Sequence, residues 1–259
     1  MVIPRQESWK VLLIGDSCED IYHYGTCDRL SPEAPVPVLK QSKIEKKEGM
    51  SSNVRLNVES FGAKVEHFHN SEVIKKHRLV DVRYNQHLLR LDEGEGSPLK
   101  PFDVDIISDF SQFDAVIISD YDKGFLPNDV IANLCEMFKN KPVFVDTKKR
   151  DLSSLTGCVV KINEKEFNSL IGMPKDSSFV VTLGERGALH DKKIYSTDRT
   201  EVFDVCGAGD VFLSGLVCGW LQYGDMSSAI KLANKCASIS VSKMGTYVLT
   251  EADLNDICI

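Results

Sequence analysis

The chain has 259 residues, 42% of them hydrophobic and 27% charged, with a formal net charge of −7. That length suits one large α/β domain with a small appendage, and the acidic balance, without a Lys/Arg stripe interleaved with aromatics, argues against a general nucleic-acid binder. With eight cysteines lacking CxxC spacing, no signal-peptide pattern and no apolar run long enough for a bilayer, the expected setting is a reducing cytoplasm with no membrane partner.

In chain order, the first predicted strand is Lys10-Val-Leu-Leu-Ile-Gly15, an apolar run typical of a buried parallel sheet. Residues 20–47 break that pattern. Tyr22, Tyr24 and Ala34-Pro-Val-Pro-Val-Leu-Lys40 alternate polar with apolar and carry prolines, which suits edge strands lying off the main sheet. A helix is predicted over 51–61. His67-Phe-His69 follows on a strand, and no Cys or acidic residue stands at ligand spacing to make it a metal pair. Residues 79–92 form a further strand pair and join 20–47 in a small β lid. Buried strands are then predicted at 115–119, 142–146, 159–162 and 179–183, with helices at 128–139 and 164–171. Strands alternating with helices imply βαβ units and a mostly parallel central sheet. Two long helices at about 208–223 and 226–242, the second capped by Ser227 or Ser228, precede a short one from Glu251. The organisation is one domain, 1–259, with a lid.

Polar residues gather at the exits of these strands: Gly15-Asp16, Ser119-Asp120, Asp146-Thr-Lys148, Asn163 and Thr182-Leu-Gly184. Open α/β sheets bind ligands at those ends. The sharpest motif is Asp204-Val-Cys-Gly-Ala-Gly-Asp210, which runs directly into an apolar helix. Small residues permit a tight turn with exposed amides, and the helix directs its positive end at the turn, so the arrangement holds an anion. The amides of Gly207, Ala208 and Gly209 are the predicted holders of a transferring phosphoryl group, with Asp210 as the base that takes a hydroxyl proton. The competing reading of Asp210 is an acid that only stabilises the helix dipole. Asn163 and Glu166 can share one face where a helix begins. That spacing suits water-mediated Mg²⁺ contact and also a capping pair. A Walker-type NTPase is disfavoured, because no GxxxxGK[ST] occurs. A dinucleotide fold is disfavoured: Gly207-Ala-Gly209 lacks a third glycine and sits late in the chain.

Together these residues resemble the ribokinase-like family of carbohydrate kinases over nearly the whole chain. Asp204 through Val217 is similar to that family's C-terminal signature, Asn163-Glu-Lys-Glu166 to its Asn-x-x-Glu element, and Thr182-Leu-Gly-Glu-Arg-Gly187 to its nucleotide-side loop. Gly49-Met-Ser-Ser-Asn53 occupies the place of the Gly-rich sugar-contact motif. Within the family, Arg29-Leu-Ser-Pro-Glu-Ala-Pro-Val-Pro-Val38, residues 77–92 and Ser119-Asp-Tyr-Asp-Lys-Gly124 resemble the heptose 7-phosphate kinase subfamily.

The resemblance implies a ribokinase-like three-layer sandwich with a β lid, and an ATP-dependent sugar kinase acting on a sugar phosphate, heptose 7-phosphate at O1. It further implies Mg²⁺, a monovalent cation such as K⁺ beside Asp204 and Val205, and a homodimer formed through the lid. Asn163, Glu166, Thr182, Gly184 and Gly187 fall on the nucleotide side, with Asn234 lining the adenine pocket or lying on a solvated helix face. Asp16, Asp20, Gly49 and Asn53 match sugar-binding positions, and Asp16 can alternatively cap the loop after the first strand. Arg83, Arg90 and Lys123 are candidates for a phosphate on the substrate, since a phosphosugar needs fixed cations; for the arginines, surface pairing with Asp81 or Asp92 is the alternative. Three departures stand out. Met50 replaces a second glycine, Asp-Val-Cys replaces the commoner Asp-Thr-Thr, and the stretch 64–76 is shorter than the family pattern by about a strand-helix-strand unit. No nucleotidyltransferase motif follows Thr250. A catalytically weak kinase-like scaffold, or a kinase for another sugar or nucleoside, are the other readings.

Overall fold

The structure, a computed structural model, describes residues 9–96, 98–198 and 200–257. Strand β1 (Lys10–Gly15) turns Val11 and Leu13 to one face and Leu12 and Ile14 to the other, all fully buried. A strand buried on both faces requires a layer on each side. The chain next leaves the main sheet in two long strands, β2 (Ser17–Leu30) and β3 (Pro37–Met50). It returns through helix α1 (Ser51–Ser60) and β4 (Lys64–His69), which pairs parallel with β1. β5 (Lys75–Asp81) and β6 (Gln86–Glu93) go back to the lid.

The main sheet resumes with β7 (Ala115–Asp120), helix α2 (Asn128–Met137), β8 (Val143–Thr147), β9 (Val159–Asn163), helix α3 (Glu164–Asn168) and β10 (Ser178–Thr182). β11 (Ala188–His190) and β12 (Lys193–Tyr195) close that edge antiparallel. The order across the sheet is β12-β11-β10-β9-β8-β7-β1-β4. Helices α4 (Ala208–Tyr223), α5 (Met226–Val241) and α6 (Glu251–Asp256) end the chain's described part. Val11, Ile117 and Phe144 pack with α1, α4 and α5 through Val54, Leu216 and Ala233. Leu12, Val116 and Val145 pack on the other side with α2 through Ile131 and Leu134. The result is the three-layer α/β sandwich the sequence predicts, with α1 and α4 directed at the exits of the central strands. No helix among the described residues is long and apolar enough to cross a membrane.

The lid is a separate four-stranded sheet in the order β3-β2-β5-β6. Its outer strands pair antiparallel with β2 and β5, and those two pair parallel. The short stretch after β4 is closed by Asn70, whose buried amide accepts from Ser17 N at 2.7 Å and donates to Ser17 O at 3.2 Å and Glu72 O at 2.6 Å. The sheet therefore ends at β4 and the chain steps straight into the lid. The rings of His67 and His69 lie tilted with centroids 4.8 Å apart, and His67 Nε2 bonds Ser51 Oγ at 2.9 Å.

Two local expectations need correction. Helix α3 stops at Asn168 rather than near 171, and α5 is capped by Asp225, whose side chain accepts from Ser228 N at 2.8 Å. Ser227 and Ser228 lie inside the first turn, because Asp225 already stands in the extended conformation a cap needs. Met50 caps α1 at φ 57° and ψ −133°, a region that favours glycine. Its side chain is 4% exposed and belongs to the same apolar cluster as Leu12 and Ile14. Burial worth about 1.5–3 kcal/mol offsets backbone strain of about 1–3 kcal/mol.

Candidate active site

The Gly-Ala-Gly turn and the first turn of α4 sit at the exits of β8 and β9. Gly207 has φ 73°, and a Cβ there would stand 2.8 Å from Asn53 Nδ2. Only glycine satisfies both conditions. Asp210 N–H donates to Gly207 O at 3.0 Å and Ala208 N–H to Val205 O at 3.3 Å, which tightens the turn. Asp204 ties the turn down from outside: its carboxylate accepts from Cys206 N and Gly245 N, each at 2.9 Å.

Asp210 is 2% exposed. Asn53 Nδ2, from α1, donates to its Oδ2 at 3.1 Å, and Tyr121, just past β7, donates its hydroxyl to Oδ1 at 2.5 Å. Burial drives the carboxyl up to about 6, against the two hydrogen bonds; Asp146 adds to the rise and Lys161 opposes it. Such a group is charged at neutral pH and poised to accept a proton. Asp16, also buried, is pushed up to about 6 by burial and then by Asp120. Its Oδ2 accepts from Tyr121 N at 2.6 Å, while Oδ1 has no partner among the described residues. Asp20 lies on the inner face of the lid, paired with Arg78 at 2.5 Å. A Cβ on Gly49 would meet Asp20 Oδ2 at 2.5 Å, so glycine lets the lid carboxylate close against the start of α1. The structure thus brings Asn53 to Asp210 directly and Asp16 to it through Tyr121, with Asp20 and Gly49 together at the base of the lid.

On the other side of the turn lies a cavity of about 810 Å³, within the range of small-molecule sites. Asn163, Thr182, Gly184, Gly187 and Asn234 line it together with Gly207 to Asp210. Asn234 is 5% exposed and donates to Tyr195 O at 2.7 Å, so it does not lie on a solvated helix face. Asn163 and Glu166 form a complete capping box, with both bonds at 2.9 Å. Glu166 retains a second oxygen, which pairs with Lys148 Nζ at 2.6 Å. Beneath the turn, Lys161 Nζ pairs with Asp146 Oδ2 at 2.7 Å, both side chains nearly inaccessible. The two residues are register partners on β9 and β8.

Of the three cations predicted for a substrate phosphate, Arg83 stands apart from Arg90 and Lys123. Arg83 is held at the far part of the lid by Asp81 and Asp28, at 2.8 and 2.7 Å. Arg90 pairs with Asp92 at 2.8 Å. Lys123 and Lys76 both contact Glu95, at 2.6 and 3.1 Å. Burial works against Asp92, yet the Arg90 hydrogen bond and the charges of Lys76 and Lys123 hold its carboxyl below the ordinary value, so these cations form one neighbourhood. Tyr121, Lys161 and Arg78 stand at the candidate site although the sequence reading assigned them no role, and Lys148 was read only as one of the polar strand exits. The one local signal was a lysine inside the apolar run Val159-Val-Lys-Ile162.

Chemically, amides at a helix end, a buried lysine and a carboxylate poised near neutrality are an arrangement able to transfer a phosphoryl group to a hydroxyl. The fold and site define an α/β phosphotransferase acting on an alcohol group. The chain matches the description "pfkB family carbohydrate kinase" over residues 74–253. It belongs to that family and is an ATP-dependent carbohydrate kinase. It is 33% identical over 290 residues to the "Bifunctional protein HldE" of Campylobacter jejuni subsp. doylei, an alignment covering 93% of this chain and 63% of that protein. The chain therefore spans about 63% of that relative's length. Among solved structures it is similar to ribokinase from Thermotoga maritima, with TM-score 0.70, 16% identity and coverage of 96% and 99% of the two chains. It is also similar to phosphofructokinase-2 from Escherichia coli in complex with potassium, with TM-score 0.71, 14% identity and coverage of 96% and 98%.

Proposed function

We propose that this kinase transfers the γ-phosphoryl group of ATP to a hydroxyl of a phosphosugar, heptose 7-phosphate at O1. The observation that carries the transfer is Asp210, buried beside the Gly-Ala-Gly turn with its carboxyl near 6. Asp16 and Asp20 would bind acceptor hydroxyls, and the unpartnered Oδ1 of Asp16 supports that role. The phosphorylated end of the acceptor is supported by Lys76 and Lys123, which converge on Glu95 near Arg90. The resemblance of the lid and the HldE relative support heptose over other sugars. Turnover of ATP with heptose 7-phosphate, against heptose, ribose, fructose 6-phosphate and nucleosides, tests this reading. Heptose 7-phosphate should give the highest kcat/KM, and an equal rate on unphosphorylated heptose would sink it. ATP binding with turnover on none of them would leave a scaffold.

The oxygen donors fit magnesium. Glu166 and the buried Oδ1 of Asp146, which has no partner among the described residues, would hold Mg²⁺ through its waters. The ion would neutralise charge on the phosphates. Asp204 and the Val205 carbonyl would hold K⁺ beside the turn, a cation the phosphofructokinase-2 structure contains. A homodimer through the lid is supported by exposed Ile44, Leu89 and Leu91 on β3 and β6. Light scattering should give twice the chain mass, and a monomer at micromolar concentration would exclude it.

A further inference from the structure

Asp210 has two side-chain partners among the described residues, and they differ in what they can do. Asn53 presents an amide nitrogen, a donor only, to Oδ2. Its orientation is fixed because Asn57 Nδ2 donates to Asn53 Oδ1 at 3.2 Å. Tyr121 presents a hydroxyl, which can donate or accept, to Oδ1. Tyr121 is itself held on two sides. Its backbone N–H is fixed on Asp16, and Lys148 Nζ lies 5.4 Å from the centre of its ring.

In the transfer, the acceptor's O–H bond breaks as its oxygen bonds the γ-phosphorus. The bond from that phosphorus to ADP breaks, ADP leaves, and the hydroxyl proton passes to Asp210. A proton arriving on Oδ2 would face the N–H of Asn53, which cannot accept it. A proton on Oδ1 faces an oxygen that can.

We propose that Tyr121 is a positioning residue for phosphoryl transfer: it fixes the Asp210 carboxylate and selects Oδ1 as the atom that takes the acceptor's proton, its hydroxyl turning from donor to acceptor as the proton arrives. This rests on Asp210 being the base. The charged and titratable groups around the pair are Asp16, Cys18, Asp146, Lys148 and Lys161, and Tyr121→Phe leaves all of them in place.

The test is the pH dependence of kcat/KM for Tyr121→Phe, with Asp210→Asn measured alongside. The native acid limb is expected near 6. Losing a hydrogen bond that favours the charged carboxylate should move the limb up by about one pH unit and lower the plateau kcat about tenfold, with KM for ATP unchanged. Replacing Tyr121 by 3-fluorotyrosine, a stronger donor on the same ring, should move the limb down and keeps the test available if the phenylalanine variant folds poorly. A limb that stays in place in both variants overturns the proposal even if kcat falls, because packing alone would then account for the loss. An unmoved limb with an inactive Asp210→Asn sinks this proposal alone. Near-native turnover in Asp210→Asn removes the base reading and the proposal with it.

Discussion

Asp210→Asn is expected to lower kcat by about 10²–10⁴, roughly 3–5 kcal/mol of barrier, while leaving KM for ATP close to its native value. The substitution keeps shape and both contacts: the amide oxygen can accept from Asn53, and the amide nitrogen can donate to the Tyr121 hydroxyl. The fold should not suffer. A carboxyl raised to about 6 by burial is a charge held in the folded state at a cost, so the native protein gains stability as pH falls through 6 toward the ordinary value of 3.8. Asp16, also raised to about 6, contributes in the same direction. Activity should run the other way, falling below about pH 6 as the base is protonated. Asp210→Asn should therefore raise the thermal midpoint at pH 7.5 and flatten part of its rise between pH 7.5 and 5. Steady-state rates and melting scans across that range check both halves. A kcat within threefold of native would end the case for a base.

The parts of this molecule that the sequence made readable are those whose signal is local. The central strands are short apolar runs with layers on both faces, and the lid declares itself through alternation and prolines. Asp210 was legible because the glycines, the acid and the helix are contiguous. Spacing could not divide the two roles of Asn163 and Glu166, since a capping box and a metal-side pair need the same interval; the box is formed, and Glu166 still has an oxygen for Lys148. Lys161, Tyr121 and Arg78 were illegible for a physical reason. Each acquires its partner only through tertiary contact: Lys161 when β9 falls into register with β8, Arg78 when β5 pairs with β2, and Tyr121 when α4 packs at the exit of β7. Arg83 is held by an acid two residues away, the pairing the sequence offered as the alternative to a substrate phosphate.

Lys161→Met should damage stability and turnover together, and the second variant needed to separate them is Asp146→Leu in the same chain. Lys161 and Asp146 are 4% and 5% exposed in their side chains, and Asp146 Oδ1 already lacks a partner. Removing the lysine leaves a buried carboxylate uncompensated, which costs about 3–5 kcal/mol in comparable cases. Replacing both residues with apolar ones of similar volume is often neutral or stabilising, so the double variant should recover its denaturation midpoint. Turnover should not follow. Lys161 Nζ lies 3.0 Å from the position a Cβ on Gly209 would take, directly under the turn, and it lines the cavity. There its charge, fixed in a dry site, opposes the negative charge developing on the transferring group, an interaction whose loss costs about 10²–10³ in rate. Guanidinium denaturation and kcat measured on the single and double variants decide the matter. If turnover returns with stability in the double variant, Lys161 only balances Asp146. If stability returns and the rate stays low, the pair serves the phosphoryl group as well as the fold, Lys161 as a fixed charge and Asp146 as a magnesium-side carboxylate, and one strand register supplies both.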